Sequence, residues 1–219
     1  MSLKKEYFHF KLNKENNDVK RDSFAKREFD TISYILKQFY NVDLKKGFKI
    51  LDLGAGDKFL EKIFDKNGIL YHSLDIEDLD FEKDKFNFDD NQFDLIISLA
   101  VLEHLKNPDI FLQESMRVLK KDSLLFLSTP NWKYCKNSFF DDVTHVKPYT
   151  PESLQQLLEI KGFKEVMTMP NLRCKSKKWY QGKFRFFKAY YLLPFKGDTK
   201  FISDFLKGKS KGLFAIGKK

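Results

Sequence analysis

Apolar positions along the chain fall into two alternating rhythms. Phe24, Phe29, Ile32, Ile35, Leu36 and Phe39 recur at helical spacing within a polar, lysine-rich lead-in of about 46 residues. They predict an N-terminal helix packed on the domain, either as cover for a sheet or as a lid over a ligand. Then come short apolar runs of strand length: Ile50 to Leu53, Ile69 to Asp75, Phe93 to Leu99, Leu124 to Leu127, Phe163 to Met169 and Leu213 to Gly217. Helical patterns lie between them. Phe59, Leu60, Ile63 and Phe64 repeat up to the stop signal Asn67-Gly68. Pro108 opens a second helix through Ile110, Phe111, Leu112, Met116, Val118 and Leu119, and Thr150-Pro151 supply an N-cap and first position for a third over 151–161. Between Ile76 and Asn91 the chain is acidic and short, so a full helix there is absent or reduced, and Leu79-Asp80-Phe81 reads as a truncated strand.

At 219 residues with 42% hydrophobic content the chain suits one domain with a sizeable core. Cys135 and Cys174 share no metal-ligand spacing and fit free thiols in a reducing compartment. No apolar run approaches the roughly 20 residues of a membrane span, and Lys4, Lys5 and Glu6 interrupt any signal-peptide core. A cytoplasmic location is expected. The net charge of +9 is concentrated: residues 171–211 hold twelve Lys or Arg against two acids, Asp198 and Asp204, leaving the rest of the chain near neutral. The same segment interleaves Trp179, Tyr180, Phe184, Phe187 and Tyr191 with those cations. It is read as pocket cover, as a contact with anionic lipid at the inner face of the membrane, or as an RNA-stacking surface.

The chemistry centres on K-I-L-D-L-G-A-G-D, Lys49 to Asp57. Glycines at a strand-to-helix turn let the backbone approach a nucleotide-type ligand. No third glycine follows Gly56, and Asp57 would repel a pyrophosphate, which argues against a dinucleotide. Asp52 suits a cationic portion of a ligand. Asp75 ends the next strand about 20 residues past the turn, where an acid accepts hydrogen bonds from both ribose hydroxyls.

The glycine turn resembles motif I of the class I S-adenosylmethionine-dependent methyltransferases. The segment F-D-L-I-I-S-L-A-V-L-E-H-L, Phe93 to Leu105, resembles the fourth-strand region of small-molecule methyltransferases of the type 11 kind, including ubiquinone-type O-methyltransferases. T-H-V-K-P-Y-T-P-E-S-L, from Thr144, resembles enzymes common among polysaccharide and lipid-linked glycan methyltransferases. The resemblance implies a Rossmann-like, seven-stranded α/β sandwich, with a mostly parallel sheet, an antiparallel last strand and helices on both faces. It divides the single domain into a helical lead-in (1–46), a cofactor-binding core (47–170), an insertion (171–211) and the last strand (212–219).

The same resemblance implies S-adenosyl-L-methionine as cofactor, held by Asp52, Gly54, Ala55, Gly56, Asp75, Ile76, Asp80, Phe81, Ser98 and Leu99. Asp80 would take the adenine amine and Phe81 would pack on the ring. Ser128-Thr129-Pro130-Asn131 corresponds to a turn beside the acceptor pocket. His145 lies in a polar loop near Asp141 and Asp142 and is the candidate base, with His104 as the second catalytic candidate. Some relatives bind a divalent metal through E-x-x-E-H; here Ala100 replaces the first glutamate, so no metal is expected. The implied reaction is O- or N-methylation of a small molecule or of a sugar or phosphorylated precursor of a surface glycan. The alternatives are an RNA methyltransferase and a noncatalytic cofactor-binding protein. Ser98-Leu99-Ala100 lacks the D/N-P-P-aromatic motif of base N-methylating enzymes, which argues against nucleic acid.

Overall fold

The computed structural model describes residues 3–14, 18–172, 192–197, 199–203 and 206–219. Two helices lead in, α1 (Leu3–Lys14) and α2 (Asp18–Tyr40), followed by β1 (Lys49–Leu53), α3 (Glu61–Lys66), β2 (Leu70–Leu74), β3 (Phe93–Leu99) and a 3-10 turn, Leu102–His104. The chain continues with α4 (Asp109–Val118), β4 (Leu119–Pro130), α5 (Trp132–Cys135), α6 (Pro151–Ile160) and β5 (Lys164–Pro170), then β6 (Phe195–Lys196), β7 (Lys207–Lys209) and β8 (Gly212–Lys218). The six-stranded sheet has the order β2-β1-β3-β4-β8-β5. The first four strands run parallel, and β8 inserts antiparallel between β4 and β5.

Period-2 alternation sorts the strand residues between two cores. Leu51, Leu53, Ile96, Leu125, Leu127, Leu213 and Ala215 join Phe111, Leu112, Leu154 and Leu158 of α4 and α6. Their neighbours Ile50, Leu95, Ile97, Leu124, Phe126, Phe214 and Ile216 join Ile32, Ile35 and Leu36 of α2 and Phe64 of α3. Such near-continuous apolar strands are what a parallel sheet covered on both faces requires. Thr150 caps α6 in a reciprocal box with Ser153, with Pro151 in the first turn, as its sequence predicts.

Two points differ from the sequence reading. Among the described residues the main sheet has six strands, because Leu79-Asp80-Phe81 is turn rather than strand. The carboxylates there take local backbone partners: Asp78 accepts from the N–H of Asp75, Asp80 from that of Glu82 and Asp84 from that of Asp80. Donors used this way are lost to a ladder. The N-terminal stripe forms one helix, α2, and it takes the sheet-covering role; ahead of it stands a further helix that the stripe does not include, α1, whose Leu3, Lys4, Lys5 and Tyr7 line a cavity. Residues 173–191, carrying Cys174 and most of the basic aromatic insertion, lie outside the described residues. The ends of that insertion frame the same cavity through Asn171, Gly197, Ser210 and Lys211.

Candidate active site

The carboxyl ends of β1, β2, β3 and β4 deliver Gly54 and Gly56, Asp75 and Ile76, Ala100 and Val101, and Ser128 to Pro130 into one cavity of about 1690 Å3. Ligands of doubly wound sheets bind at this edge because the loops diverge there and leave a crevice. The volume exceeds the roughly 300–1,000 Å3 of one small-molecule site, giving room for a cofactor and an acceptor together.

At the glycine turn, Gly54 has φ +75° and donates its N–H to the Leu74 carbonyl at 2.7 Å. A Cβ on Gly54 would meet Val101 Cγ2 at 2.1 Å, so this glycine lets β1 pass close to the start of the 3-10 turn. Gly56, at φ +58°, has nothing within 4 Å of its Cβ direction and lines the cavity, so this is the glycine that leaves room for a ligand. Asp75 accepts from Gly56 N at 2.5 Å and from Ile76 N at 2.6 Å. Burial raises its carboxyl above the usual range, while those two hydrogen bonds work against the rise. Arg21 of α2 reaches Asp57 at 2.8 Å, so the acid closing the turn carries a cationic partner that sequence order does not suggest.

The expected cofactor residues divide. Gly54, Gly56, Asp75, Ile76, Asp80 and Phe81 share the cavity lining. Phe81 is held by edge contacts to Phe86 and Phe111, and Asp80 pairs with Lys83 at 2.8 Å. Asp52, Ala55, Ser98 and Leu99 are not among the lining residues. Asp52 follows the parity of Ile50, takes the Tyr71 hydroxyl at 2.8 Å, and burial pushes its carboxyl up to about 7. Ser98 is buried and donates to the Leu53 carbonyl, tying β3 to β1.

A second group of residues stands across the cavity. The Glu103 carbonyl accepts the N–H groups of Val146 at 2.9 Å and Lys147 at 3.1 Å, which fastens the loop carrying His145 against the end of β3. The Glu103 side chain is fully buried; Oε2 accepts from Thr129 at 3.0 Å, while Oε1 has no hydrogen-bond partner. Burial pushes this carboxyl up to about 8. His145 Nδ1 lies 2.7 Å from the Phe139 carbonyl, which can only accept, so Nδ1 donates there and Nε2 is the ring nitrogen left for other partners. That Nε2 is 3.9 Å from Glu103 Oε1 and 3.8 Å from Asp142 Oδ2.

His104 is fixed by the same logic. Thr144 Oγ1 donates its one proton to Asp142 Oδ1 at 2.7 Å, so its 2.9 Å contact with His104 Nδ1 is a bond donated by the imidazole. Burial, then the neighbouring His145, lowers the His104 imidazole to about 4. Donor atoms of Glu103, His104 and His145 all lie within 4.8 Å of one another. Asp142 also accepts from the Tyr7 hydroxyl at 2.5 Å, and Lys4 pairs with Glu82 at 2.8 Å, so α1 is pinned across the cavity at two points. Against the effect of burial, the bonds from Tyr7 and Thr144 hold the Asp142 carboxyl below its ordinary value.

The two catalytic candidates thus meet, with ring centroids 4.7 Å apart. Of the two acids near His145 in sequence, Asp142 faces its Nε2, while the Phe139 carbonyl, not a carboxylate, holds its Nδ1. Sequence reasoning set Thr129 in a turn beside the acceptor pocket without linking it to Glu103, gave no role to Thr144 or Tyr7, and did not pair Glu103 with His145. The one available signal was a lone acid inside the apolar run A-V-L-E-H-L.

A parallel sheet with an antiparallel β8, a glycine turn after β1 and an acid after β2 define the class I methyltransferase fold, whose cofactor is S-adenosylmethionine. The family described as "Methyltransferase domain" matches residues 15–167, and the chain belongs to it. A SAM-dependent methyltransferase structure from Archaeoglobus fulgidus superposes with TM-score 0.63 at 20% identity, covering 97% of this chain and 99% of that one. Phosphoethanolamine N-methyltransferase 2 of Haemonchus contortus, solved with S-adenosyl-L-methionine, superposes with TM-score 0.55 at 16% identity, over 97% of this chain and 60% of that one. The ubiquinone biosynthesis O-methyltransferase of Pelagibacter ubique is 27% identical over 104 residues, which are 39% of this chain and 43% of that protein. The match therefore spans less than half the length of that curated relative.

Proposed function

We propose that the chain transfers the methyl group of S-adenosylmethionine to a hydroxyl of a small-molecule acceptor, with His145 at the point where that hydroxyl gives up its proton. Gly54, Gly56, Asp75, Ile76, Asp80 and Phe81 form the cofactor end, Asp75 meeting the ribose and Phe81 the adenine. The acceptor oxygen attacks the methyl carbon in line, the sulfur–carbon bond breaks, and the neutral thioether leaves. Because the sulfonium is already a good leaving group, the protein mainly supplies alignment, worth up to roughly 7–11 kcal/mol, and proton removal. An amine acceptor needs proton removal less than a hydroxyl does.

The observation that carries the hydroxyl reading is the His145 ring, with Nδ1–H committed to the Phe139 carbonyl and Nε2 turned toward Glu103 at the acceptor end of the cavity. In support of this reading, the curated relative from Pelagibacter ubique is named an O-methyltransferase. Sugar hydroxyls and phosphorylated precursors of a surface glycan are the acceptor class to screen first. The test is transfer of label from methyl-labelled cofactor into glycan, lipid, RNA and small-molecule fractions. His145→Ala should lower turnover by roughly 10²–10⁴ while cofactor affinity stays nearly intact. Label entering only RNA, or only amines, would overturn the reading, and so would a His145→Gln variant with near-full turnover.

A further inference from the structure

The Glu103 carboxyl stands at the back of the acceptor end of the cavity, fully buried, and its two oxygens are treated unequally. Oε2 accepts from the Thr129 hydroxyl, while Oε1 has no hydrogen-bond partner in the protein, although nearly every buried polar atom finds one. Among the described residues the carboxyl has no lysine or arginine within ion-pair distance, only His145 Nε2 at 3.9 Å. A carboxyl taken out of water without a cation keeps its proton, and burial places its midpoint at about 8. Since Oε2 already receives the Thr129 proton, the acid proton sits on Oε1. A buried donor thus faces the same space as His145 Nε2, and 3.9 Å is too long for the two to bond each other.

We infer that Glu103 is a second acceptor-contacting residue, which donates a hydrogen bond from Oε1 to the same oxygen that hands its proton to His145, and so selects hydroxyls over amines. An oxygen about 2.8 Å from both Nε2 and Oε1 fits over the gap between them. A hydroxyl oxygen uses four directions there: its carbon, its proton toward Nε2, one lone pair for the Glu103 proton and the other for the methyl carbon. A neutral amine has one lone pair, which the methyl carbon takes. The Glu103 proton would then face an N–H with nothing to accept it.

This inference rests on the reading of His145 as the residue that takes the hydroxyl proton, and adds what chooses the acceptor atom. In the transfer that proton passes to Nε2, an oxygen lone pair forms the bond to the methyl carbon, and the sulfur keeps the electrons of the bond that breaks. Glu103 keeps its proton and donates to the new ether oxygen. Asp142 Oδ2, 3.8 Å from Nε2, faces the charge that the ring gains. The titratable groups around the carboxyl are His104 beside it on the 3-10 turn, Asp142 and His145 on the loop, and Tyr149 just ahead of α6. After burial, Asp142 adds to the rise of the Glu103 carboxyl, and burial and then Glu103 raise the Tyr149 hydroxyl.

Two measurements test it, both on the full chain. Infrared difference spectra of wild type against Glu103→Gln, each loaded with S-adenosylhomocysteine, read the carboxyl without any acceptor. The carbonyl band of a protonated acid is expected at pH 7, giving way to carboxylate bands through about pH 8. Carboxylate bands alone at pH 7 overturn the inference. The second measurement follows label from methyl-labelled S-adenosylmethionine between pH 7 and pH 9, the probe being the small-molecule fraction that takes up label at a hydroxyl. Wild-type turnover should fall about tenfold over that range as the donor ionises. Glu103→Gln has an amide oxygen for Thr129 and an NH2 that donates at every pH, so it should lose less than about tenfold at pH 7 and show no such fall. Glu103→Leu has no donor and should lose at least about tenfold at either pH, with cofactor calorimetry verifying the fold of both variants. Wild-type turnover that rises toward pH 9, or a fall that persists in Glu103→Gln, overturns the inference and leaves hydroxyl methylation standing. Label confined to amines ends the hydroxyl reading and the selection with it, whatever the infrared bands show.

Discussion

Replacing Asp52 by asparagine separates two uses of a carboxylate at the end of β1. The motif suggests a charge serving the cofactor; the structure gives a side chain only 2% exposed, bonded to Tyr71, with its carboxyl raised to about 7 by burial. In the unfolded chain an aspartate titrates near 3.9. Between about pH 4 and pH 7 the folded chain therefore holds more protons than the unfolded one. Stability from this group falls as pH rises through that window and stays low above it. A rise of roughly 3 units at about 1.36 kcal/mol each sets the ionisation penalty near 4 kcal/mol. The asparagine variant escapes that penalty and keeps an acceptor for the Tyr71 hydroxyl, but buries an NH2 group without a partner, which costs about 1–3 kcal/mol. Urea unfolding should find Asp52→Asn more stable than wild type by about 1–3 kcal/mol at pH 8, with the difference gone or reversed at pH 4.5. Calorimetry should find cofactor affinity within a factor of about 3, since about 0.6 kcal/mol is the most expected from a group outside the cavity. A variant less stable than wild type at pH 8 would refute the burial argument, and a tenfold loss of affinity would restore the electrostatic role.

Other substitutions probe the cavity wall. Asp75→Ala should weaken cofactor binding by about 1.5–3 kcal/mol in calorimetry, the range for a lost charged hydrogen bond; unchanged affinity would remove Asp75 from the ribose. Gly54→Ala places a methyl 2.1 Å from Val101 at φ +75° and should lower stability by about 2–4 kcal/mol in chemical denaturation. Gly56→Ala meets open space, so its effect should fall on cofactor affinity more than on melting temperature. Among the described residues no helix is long and apolar enough to cross a membrane. A peripheral contact through Lys177, Lys178, Lys183, Arg185 and Lys188 predicts co-sedimentation with anionic vesicles at low salt, lost at high salt. Protein that stays in solution throughout would return the insertion to a pocket-covering role.

Local rules written in a few adjacent residues were legible without coordinates. The runs Ile50–Leu53 and Phe93–Leu99 are strands buried on both faces, Thr150-Pro151 starts a helix, and the glycine turn after β1 carries the chain to the cavity through Gly54 and Gly56. Each depends on propensity, period or backbone freedom, which a single segment carries by itself. The antiparallel last strand followed from the family resemblance and the acid after β2 from its spacing behind the glycine turn; β8 runs antiparallel to its neighbours and Asp75 stands just past β2, bonded to Gly56. What needed the tertiary structure was every relation that depends on which face a residue takes or which distant segment meets it. Asp52 and Leu53 are neighbours in sequence, but pleat parity sends Asp52 to Tyr71 and Leu53 to the opposite core. Leu79 to Phe81 reads as a short apolar strand, but the Leu79 N–H goes to the Asp75 carbonyl and the Asp80 N–H to the Asp84 carboxylate, so its donors are used locally. The pairing of Glu103 with His145, the tautomers set by Thr144 and the Phe139 carbonyl, and the crossing of α1 by way of Tyr7 arise from contacts over 135 residues or fewer of intervening chain. No periodicity records such contacts, because a hydrogen bond between loops constrains two points and leaves the residues between them free to vary.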